Sequence, residues 1–260
     1  MLLVIDLGNS EVKFGIFLKE ELKHRFQVST DLNKSVDEYD AALASIIKNK
    51  NIDISKINGV IISSVVPPLS SVFKKLIKTR LNIDPLFIGP GVKTGLKIKL
   101  DHPNELGADL VADAVSVKER YGYPAIIIDL GTANKIIALD KNGHFIGATF
   151  TPGIKAGVNA LISSTAQLPK VSLVKPSKIL GKNTPDSINA GAIYGNYAML
   201  KGLIEMIEAE LGYECKRVLT GGAAHLFYED GNLPSNLIFD ENLALHGLRL
   251  IYEKNVGKRK

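Results

Sequence analysis

The chain has 260 residues, of which 45% are hydrophobic and 23% charged, and a formal net charge of +5. Those proportions exclude a disordered or fibrous protein and suit two fused domains of ordinary size. The modest positive charge, part of it in the terminal "EKNVGKRK", reads as a solvated tail and a surface for anionic small molecules, with no nucleic acid expected as partner.

The first apolar run, "MLLVIDLG", ends in Asp-Leu-Gly-Asn, and "VKFGIFL" follows at once, which predicts two strands joined by a tight turn. "HRFQVS" completes an antiparallel meander. From about residue 37 to 49, Tyr39, Leu43, Ile46 and Ile47 fall on one face of a helix. A buried strand, "INGVIISSVV", comes next, and Pro67-Pro68 opens a second helix at its first turn. "PLFIG" is another strand. "GPGVKTG" carries a proline between its first two glycines and lacks dinucleotide spacing, so it reads as a loop.

"HPNELGADLVADAVSVKERYG" reads as a helix after Pro103 with Leu106, Leu110, Val111, Ala114 and Val115 on its apolar face. Asp109 and Asp113 then stack at i, i+4, where like charges cost about 0.2–0.5 kcal/mol. They are either two solvated aspartates or a pair kept for chemistry, one of them accepting a proton from a substrate hydroxyl in phosphoryl transfer.

The second half repeats the plan. "AIIIDLGTA", "KIIALDKNGH" and "FIGATFTPG" are three strands in succession, helices follow at about 153–166 and 185–211, and "KRVLTGG" is a strand leading into a short helix. A last helix covers roughly 240–253. The polar and turn residues near 117–123 divide the chain into an N-terminal lobe, 1–117, and a C-terminal lobe, 118–260, as an internal duplication would.

"LVIDLGN" and "IIIDLGT" write the same turn twice. An aspartate ending a buried strand, followed by glycine, presents a carboxylate for a cation and bare amides for phosphate oxygens. One Asp-x-Gly is ordinary turn chemistry; two that face each other would be the jaws of a nucleoside-triphosphate cleft. "VLTGGAAHLF", with Gly221 and Gly222, adds a turn that admits a flat adenine against backbone. No phosphate-binding G-x-x-x-x-G-K-[ST] occurs, and His24, His102, His144, His225 and His246 have no metal-ligand spacing. Cys215, the only cysteine, permits no internal disulfide and reads as structural. No leader precedes the first strand and no apolar run reaches membrane-spanning length, so a cytoplasmic protein without a membrane partner is expected.

With "HPNELGAD", "TPGIKAGVNAL", "GKNT" and "TGGAA" added to the duplicated turn, the sequence resembles the type III pantothenate kinases of the actin-like, sugar-kinase and heat-shock ATPase superfamily. The resemblance runs end to end, through "VIISSVVPPL", "GPGVKTGL" and "KPSKILGKNT". It implies an α/β fold of two ribonuclease H-like domains, each a mixed sheet with three leading antiparallel strands flanked by helices. It also implies a homodimer that uses ATP to phosphorylate pantothenate to 4'-phosphopantothenate, the first step of coenzyme A biosynthesis, with magnesium (Mg2+) and potassium (K+) or ammonium (NH4+) as cofactors.

By matching positions, Asp6, Gly8, Asn9 and Ser10 would bind ATP phosphates, Asp6 also holding the divalent metal; Lys13 is expected beside them, although it and Glu11 stand where small, polar or apolar residues are more usual. Gly131, Thr132, Gly221 and Gly222 would complete the nucleotide site, with Asp129 as ligand of the monovalent cation. Asp109 would be the catalytic base. Leu100, Gly107, Ala108, Asp109, Leu110 and Thr184 would face pantothenate. The chain departs from the family pattern at Leu100, where a tyrosine is usual, at Leu110, where an arginine is usual, and at Asn134 and Lys135 in the second turn. Lys135 is either a solvated lysine at a strand start or an ammonium that takes the place of the monovalent cation. Two alternatives stay open: a catalytically impaired homologue that binds nucleotide or a pantothenate-like ligand in a regulatory role, and a kinase for another small hydroxylated acceptor.

Overall fold

The computed structural model describes residues 1–228 and 237–256. The chain divides into two compact units: Met1–Leu96, Asp101–Glu119 and the last helix form one, and Lys97–Leu100 with Arg120–Glu241 form the other.

In the first unit, β1 (Leu2–Leu7), β2 (Glu11–Leu18) and β3 (Glu21–Ser29) make the expected antiparallel meander. β4 (Gly59–Ser64) then joins β1 in parallel, and the two-residue β5 (Leu86–Phe87) joins β4, for a sheet order of β3-β2-β1-β4-β5. Strand alternation sends Leu3, Ile5 and Leu7 to one face. There they form a core with α1 (Val36–Asn49) and α2 (Pro67–Leu81), through Tyr39 and Leu43 from α1 and Leu69, Phe73 and Leu76 from α2. Local chemistry fixes both helices. Ser35 and Glu38 close a reciprocal capping box at the start of α1. Proline stands in the first turn of α2, and Asn82 in the left-handed region ends it.

The opposite face of that sheet, which carries Val4 and Asp6, lies against α7 (Leu243–Val256). Gly15 is the residue of β2 opposite Val4, and a Cβ on it would stand 3.3 Å from Leu245 of α7. The sequence grouped this helix with 118–260 and placed it about three residues earlier; it belongs to the first unit. Its Glu253–Val256 are helical, so the basic tail proper starts later, and 257–260 lie outside the described residues.

The predicted helix after Pro103 is two pieces: a 3-10 turn at Pro103–Glu105, then α3 (Ala108–Arg120) beginning after Gly107. α3 packs on α7 so closely that a Cβ on Gly247 would overlap the backbone of Ala112. Leu110, Val111, Ala114 and Val115 are buried as the apolar face predicts.

The second unit repeats the first. β6 (Ala125–Leu130), β7 (Ala133–Leu139) and β8 (Phe145–Pro152) form an antiparallel meander, and β9 (Lys216–Thr220) and β10 (Leu237–Phe239) extend it in parallel in the order β10-β9-β6-β7-β8. Ile126, Ile128 and Leu130 face a core built with α4 (Ile154–Ser163), the 28-residue α5 (Thr184–Leu211) and α6 (His225–Tyr228). Asn183 caps α5 by accepting from the Asp186 amide at 2.8 Å, and Gly212 at φ 72° ends it. Two sheets with one strand order and one mix of directions are what an internal duplication leaves.

Candidate active site

Both repeated aspartates occupy the same register position. On β1, Asp6 stands opposite Lys13 of β2 and Ser63 of β4. On β6, Asp129 stands opposite Lys135 of β7 and Thr220 of β9. Directly opposed residues share a face of a sheet, so each unit brings a carboxylate, an amine and a hydroxyl together at the C-terminal end of its central strand.

In the first unit, Asp6 is 8% exposed, whereas Asn9 and Ser10 of the following turn are open to solvent. The turn is held by backbone: Gly8 N–H donates to Glu11 O at 3.1 Å, and Thr30 N–H to Ser10 O at 3.0 Å. The Thr30 hydroxyl donates to Gly8 O at 2.6 Å. A Cβ on Gly8 would come within 3.0 Å of Glu11 O, so the tight turn favours glycine. Thr30 is a support that sequence reasoning missed; nothing in "QVST" marks it as reaching a turn so far back in the chain.

Asp109 stands in the first turn of α3 and is half-buried. Its Oδ1 accepts from Leu110 N–H at 2.8 Å, and a Cβ on Gly107 would sit 2.6 Å from that oxygen. The same hypothetical Cβ lies 3.6 Å from Val65, whose N–H donates to Leu7 O at 3.1 Å. The start of α3 therefore lies near the residue that follows β4 and pairs with the end of β1, the strand that carries Asp6. Asp113 is 3% exposed, so the pair is not two solvated aspartates. Leu110 is 4% exposed: its side chain belongs to the core, and only its amide reaches Asp109. Leu100 is half-buried and lies in the second unit.

In the second unit, the Asp129 turn is closed from three sides. Gly131 N–H donates to Ala133 O at 3.2 Å, and Gly153 N–H, at the cap of α4, donates to Thr132 O at 3.2 Å. A Cβ on Gly153 would meet the Gly131 and Thr132 carbonyl oxygens, the latter at 2.5 Å. Gly221, at φ 98°, passes so close that a Cβ would stand 2.5 Å from Leu130 N and O and 2.6 Å from Asp129 Oδ1. Gly222 has open space around its Cα. Lys135 Nζ donates to Asp129 Oδ2 at 2.6 Å, which overturns the solvated-lysine reading. Asn134 is fully buried and ties β7 to β8 and α5: its amide donates to Pro152 O at 3.1 Å and Asn196 Oδ1 at 2.9 Å. Thr132 and Thr184 are both exposed, Thr184 beside an open depression of about 540 Å³ that Leu161, Leu168, Lys182 and Ile188 also line. Gly153 is a second omission; the "TPG" after a strand and before a helix was the available signal.

No group of three or more His, Cys, Asp or Glu side chains among the described residues could hold a metal by itself. A lone buried carboxylate next to exposed amides suits magnesium, which keeps several waters and takes further ligands from phosphate oxygens. Asp6 fits that role.

A family model described as type III pantothenate kinase matches residues 2–206. The type III pantothenate kinase of Moorella thermoacetica is 41% identical over 255 residues, covering 98% of this chain and 100% of that protein. The chain belongs to the type III pantothenate kinase family. The type III pantothenate kinase of Brevibacillus brevis is 40% identical over 255 residues, covering 98% of this chain and 99% of that one. Among solved structures, component A of (R)-2-hydroxyglutaryl-CoA dehydratase from Acidaminococcus fermentans superposes with a TM-score of 0.57 at 14% identity, over 98% of both chains. The activator of 2-hydroxyisocaproyl-CoA dehydratase from Clostridium difficile, with bound ADPNP, gives 0.53 at 13% identity, over 100% of this chain and 98% of that one. At such identities these likenesses establish the fold alone: two repeated α/β units in the actin-like ATPase architecture.

Proposed function

We propose that this chain transfers the γ-phosphoryl group of ATP to the terminal hydroxyl of pantothenate, giving 4'-phosphopantothenate at the first step of coenzyme A biosynthesis. The observation that carries the reading is family membership over nearly the whole chain; Asp6 near the end of β1 and Asp109 in the first turn of α3, both in the first unit, are the two carboxylates assigned to the transfer. Phosphoryl transfer asks the protein for positioning and charge neutralisation more than for covalent chemistry.

Asp109 is the base. Its Oδ1 is held by the Leu110 amide, which fixes the carboxylate at the helix start, where it takes the hydroxyl proton as the oxygen attacks phosphorus. Asp6 holds the divalent metal, which when bound neutralises charge on the phosphates. The turn that Gly8 closes presents Asn9 and Ser10 to phosphate oxygens, with Lys13 as a positive neighbour of Asp6. The Gly131-Thr132 turn receives a second set of phosphate oxygens, and Gly221-Gly222 lets the base of the nucleotide lie against backbone. Ala108 and Gly107 shape the backbone that pantothenate meets, with Thr184 and Leu100 as further contacts.

The same reading makes the protein a cytoplasmic homodimer. Val174, Ile179 and Leu180, exposed at 62%, 69% and 81%, supply apolar surface for a partner copy. Among the described residues no helix is long and apolar enough to cross a membrane.

The test is purified protein with ATP, magnesium and pantothenate, read by mass spectrometry for 4'-phosphopantothenate. Product formation is the expected result. ATP binding with no product from pantothenate overturns the substrate, and a panel of other small alcohols then separates a kinase of different specificity from a nucleotide-binding regulator.

A further inference from the structure

The two duplicated turns differ in what closes the carboxylate. Asp129 and Lys135 face each other across β6 and β7, and their side chains are only 13% and 21% exposed. The lysine stem spans the short distance between opposed strand positions and sets Nζ on Oδ2 at 2.6 Å. The other oxygen, Oδ1, lies against Gly221, where even a methyl group would stand 2.6 Å away. One oxygen is held by an ammonium and the other is covered by backbone.

A free potassium or ammonium ion, which the family resemblance implies at Asp129, does not fit these residues. It would have to share the carboxylate with an ammonium already in hydrogen-bond contact and bear the repulsion of a like charge beside it in a partly desolvated place. A lysine ammonium is itself an alkylated ammonium ion, with three donors and a compact charge. Tethered to the neighbouring strand, it need not be gathered from solution, so its occupancy does not follow the salt.

We infer that Lys135 is a built-in replacement for the monovalent cation: it supplies the positive charge of the second phosphate turn, and nucleotide binding by this chain needs neither potassium nor ammonium. The inference rests on the reading of Asp129, Gly131 and Thr132 as part of the nucleotide site. A lysine that merely paired with Asp129 for stability would leave nucleotide affinity dependent on an added cation, so the two roles make different predictions.

The experiment is calorimetric titration of the whole protein with a non-hydrolysable ATP analogue and magnesium, in tetramethylammonium, potassium and ammonium chlorides at matched ionic strength, with thermal unfolding followed in each. The wild type should bind with the same Kd within about twofold in all three salts, and its unfolding temperature should not follow potassium. Lys135→Met, nearly isosteric and uncharged, should bind about tenfold more weakly in tetramethylammonium and recover when potassium is added. Lys135→Arg keeps the charge and should stay independent of salt; with the wild type it decides the matter if the Met variant does not fold. A wild-type affinity that potassium tightens about tenfold overturns the inference and leaves the kinase reading standing. So does a folded Lys135→Met that binds like wild type in tetramethylammonium. Absence of nucleotide binding in every salt overturns the reading of the site, and the inference with it.

Discussion

Gly221 and Gly222 are adjacent in sequence and opposite in expectation, which makes them a sharp test of the Asp129 turn. Gly221→Ala places a methyl group 2.5 Å from two backbone atoms of Leu130 and 2.6 Å from Asp129 Oδ1, on a residue at φ 98°. Backbone cannot rotate away as a side chain would. The left-handed conformation alone costs an alanine about 1–2 kcal/mol, and forcing a methylene-sized group into filled space costs about 1–3 kcal/mol more. The substitution should therefore destabilise the protein by roughly 2–5 kcal/mol, a large share of a typical domain's stability. Gly222→Ala meets open space with no positive φ, so it should change stability by less than about 1 kcal/mol and in the favourable direction. Urea unfolding of both variants, followed by circular dichroism, gives the comparison. Equal midpoints, or a Gly221→Ala loss under about 0.5 kcal/mol, would refute the close approach of β9's turn to β6.

Three further expectations follow from particular contacts. Gly247→Ala sets a methyl group into the Ala112 backbone, its carbonyl carbon 2.6 Å away, and should cost about 1–3 kcal/mol in urea unfolding while lowering turnover, because α3 carries Asp109; an unchanged midpoint would contradict the α3–α7 contact. The Asp140 carboxyl is pushed up by burial, but the His144 amide, the Lys99 ammonium and the Asn142 amide outweigh this and hold it well below the usual carboxylate range. Its contribution is full above the unfolded value of about 3.9 and is lost as pH falls through the lowered folded value, so Asp140→Asn should cost about 1 kcal/mol near neutrality and progressively less under acid, measured by unfolding across pH. Burial, helped by the Glu208 carboxylate against the pull of Arg217, pushes the Cys215 thiol up to about 11. Native protein at neutral pH should react with iodoacetamide about a hundredfold more slowly than protein unfolded in urea, and equal rates would show the thiol to be accessible and ionised.

Much of the fold was legible because its signals are local. The short apolar runs ending in Asp-Leu-Gly, each followed at once by another strand, gave both meanders, and the spacing of Tyr39 and Leu43 gave α1. Pro67-Pro68 gave the start of α2. What sequence withheld is longer in range. Periodicity identifies α7 as a helix but not which sheet it covers, and it covers the first. The stacked pair in α3 looked solvated or functional by pattern alone; burial of Asp113 comes from packing that no spacing encodes. Gly153 carried no role in the sequence and Gly221 only a place in a turn for adenine; the close approach of other backbone to both is visible only in the fold. Lys135 lies in between: a hairpin places it opposite Asp129, but only the register and rotamer bring Nζ onto the carboxylate.

The central claim is that Asp109 is the base of a pantothenate kinase. It is tested most directly by the rate of 4'-phosphopantothenate formation from ATP and pantothenate by wild type and Asp109→Asn. The amide keeps the acceptor oxygen that holds Leu110 N–H but cannot take a proton, so turnover should fall by about 10²–10⁴ while ATP affinity stays within about twofold. Undiminished turnover by Asp109→Asn would contradict the assignment.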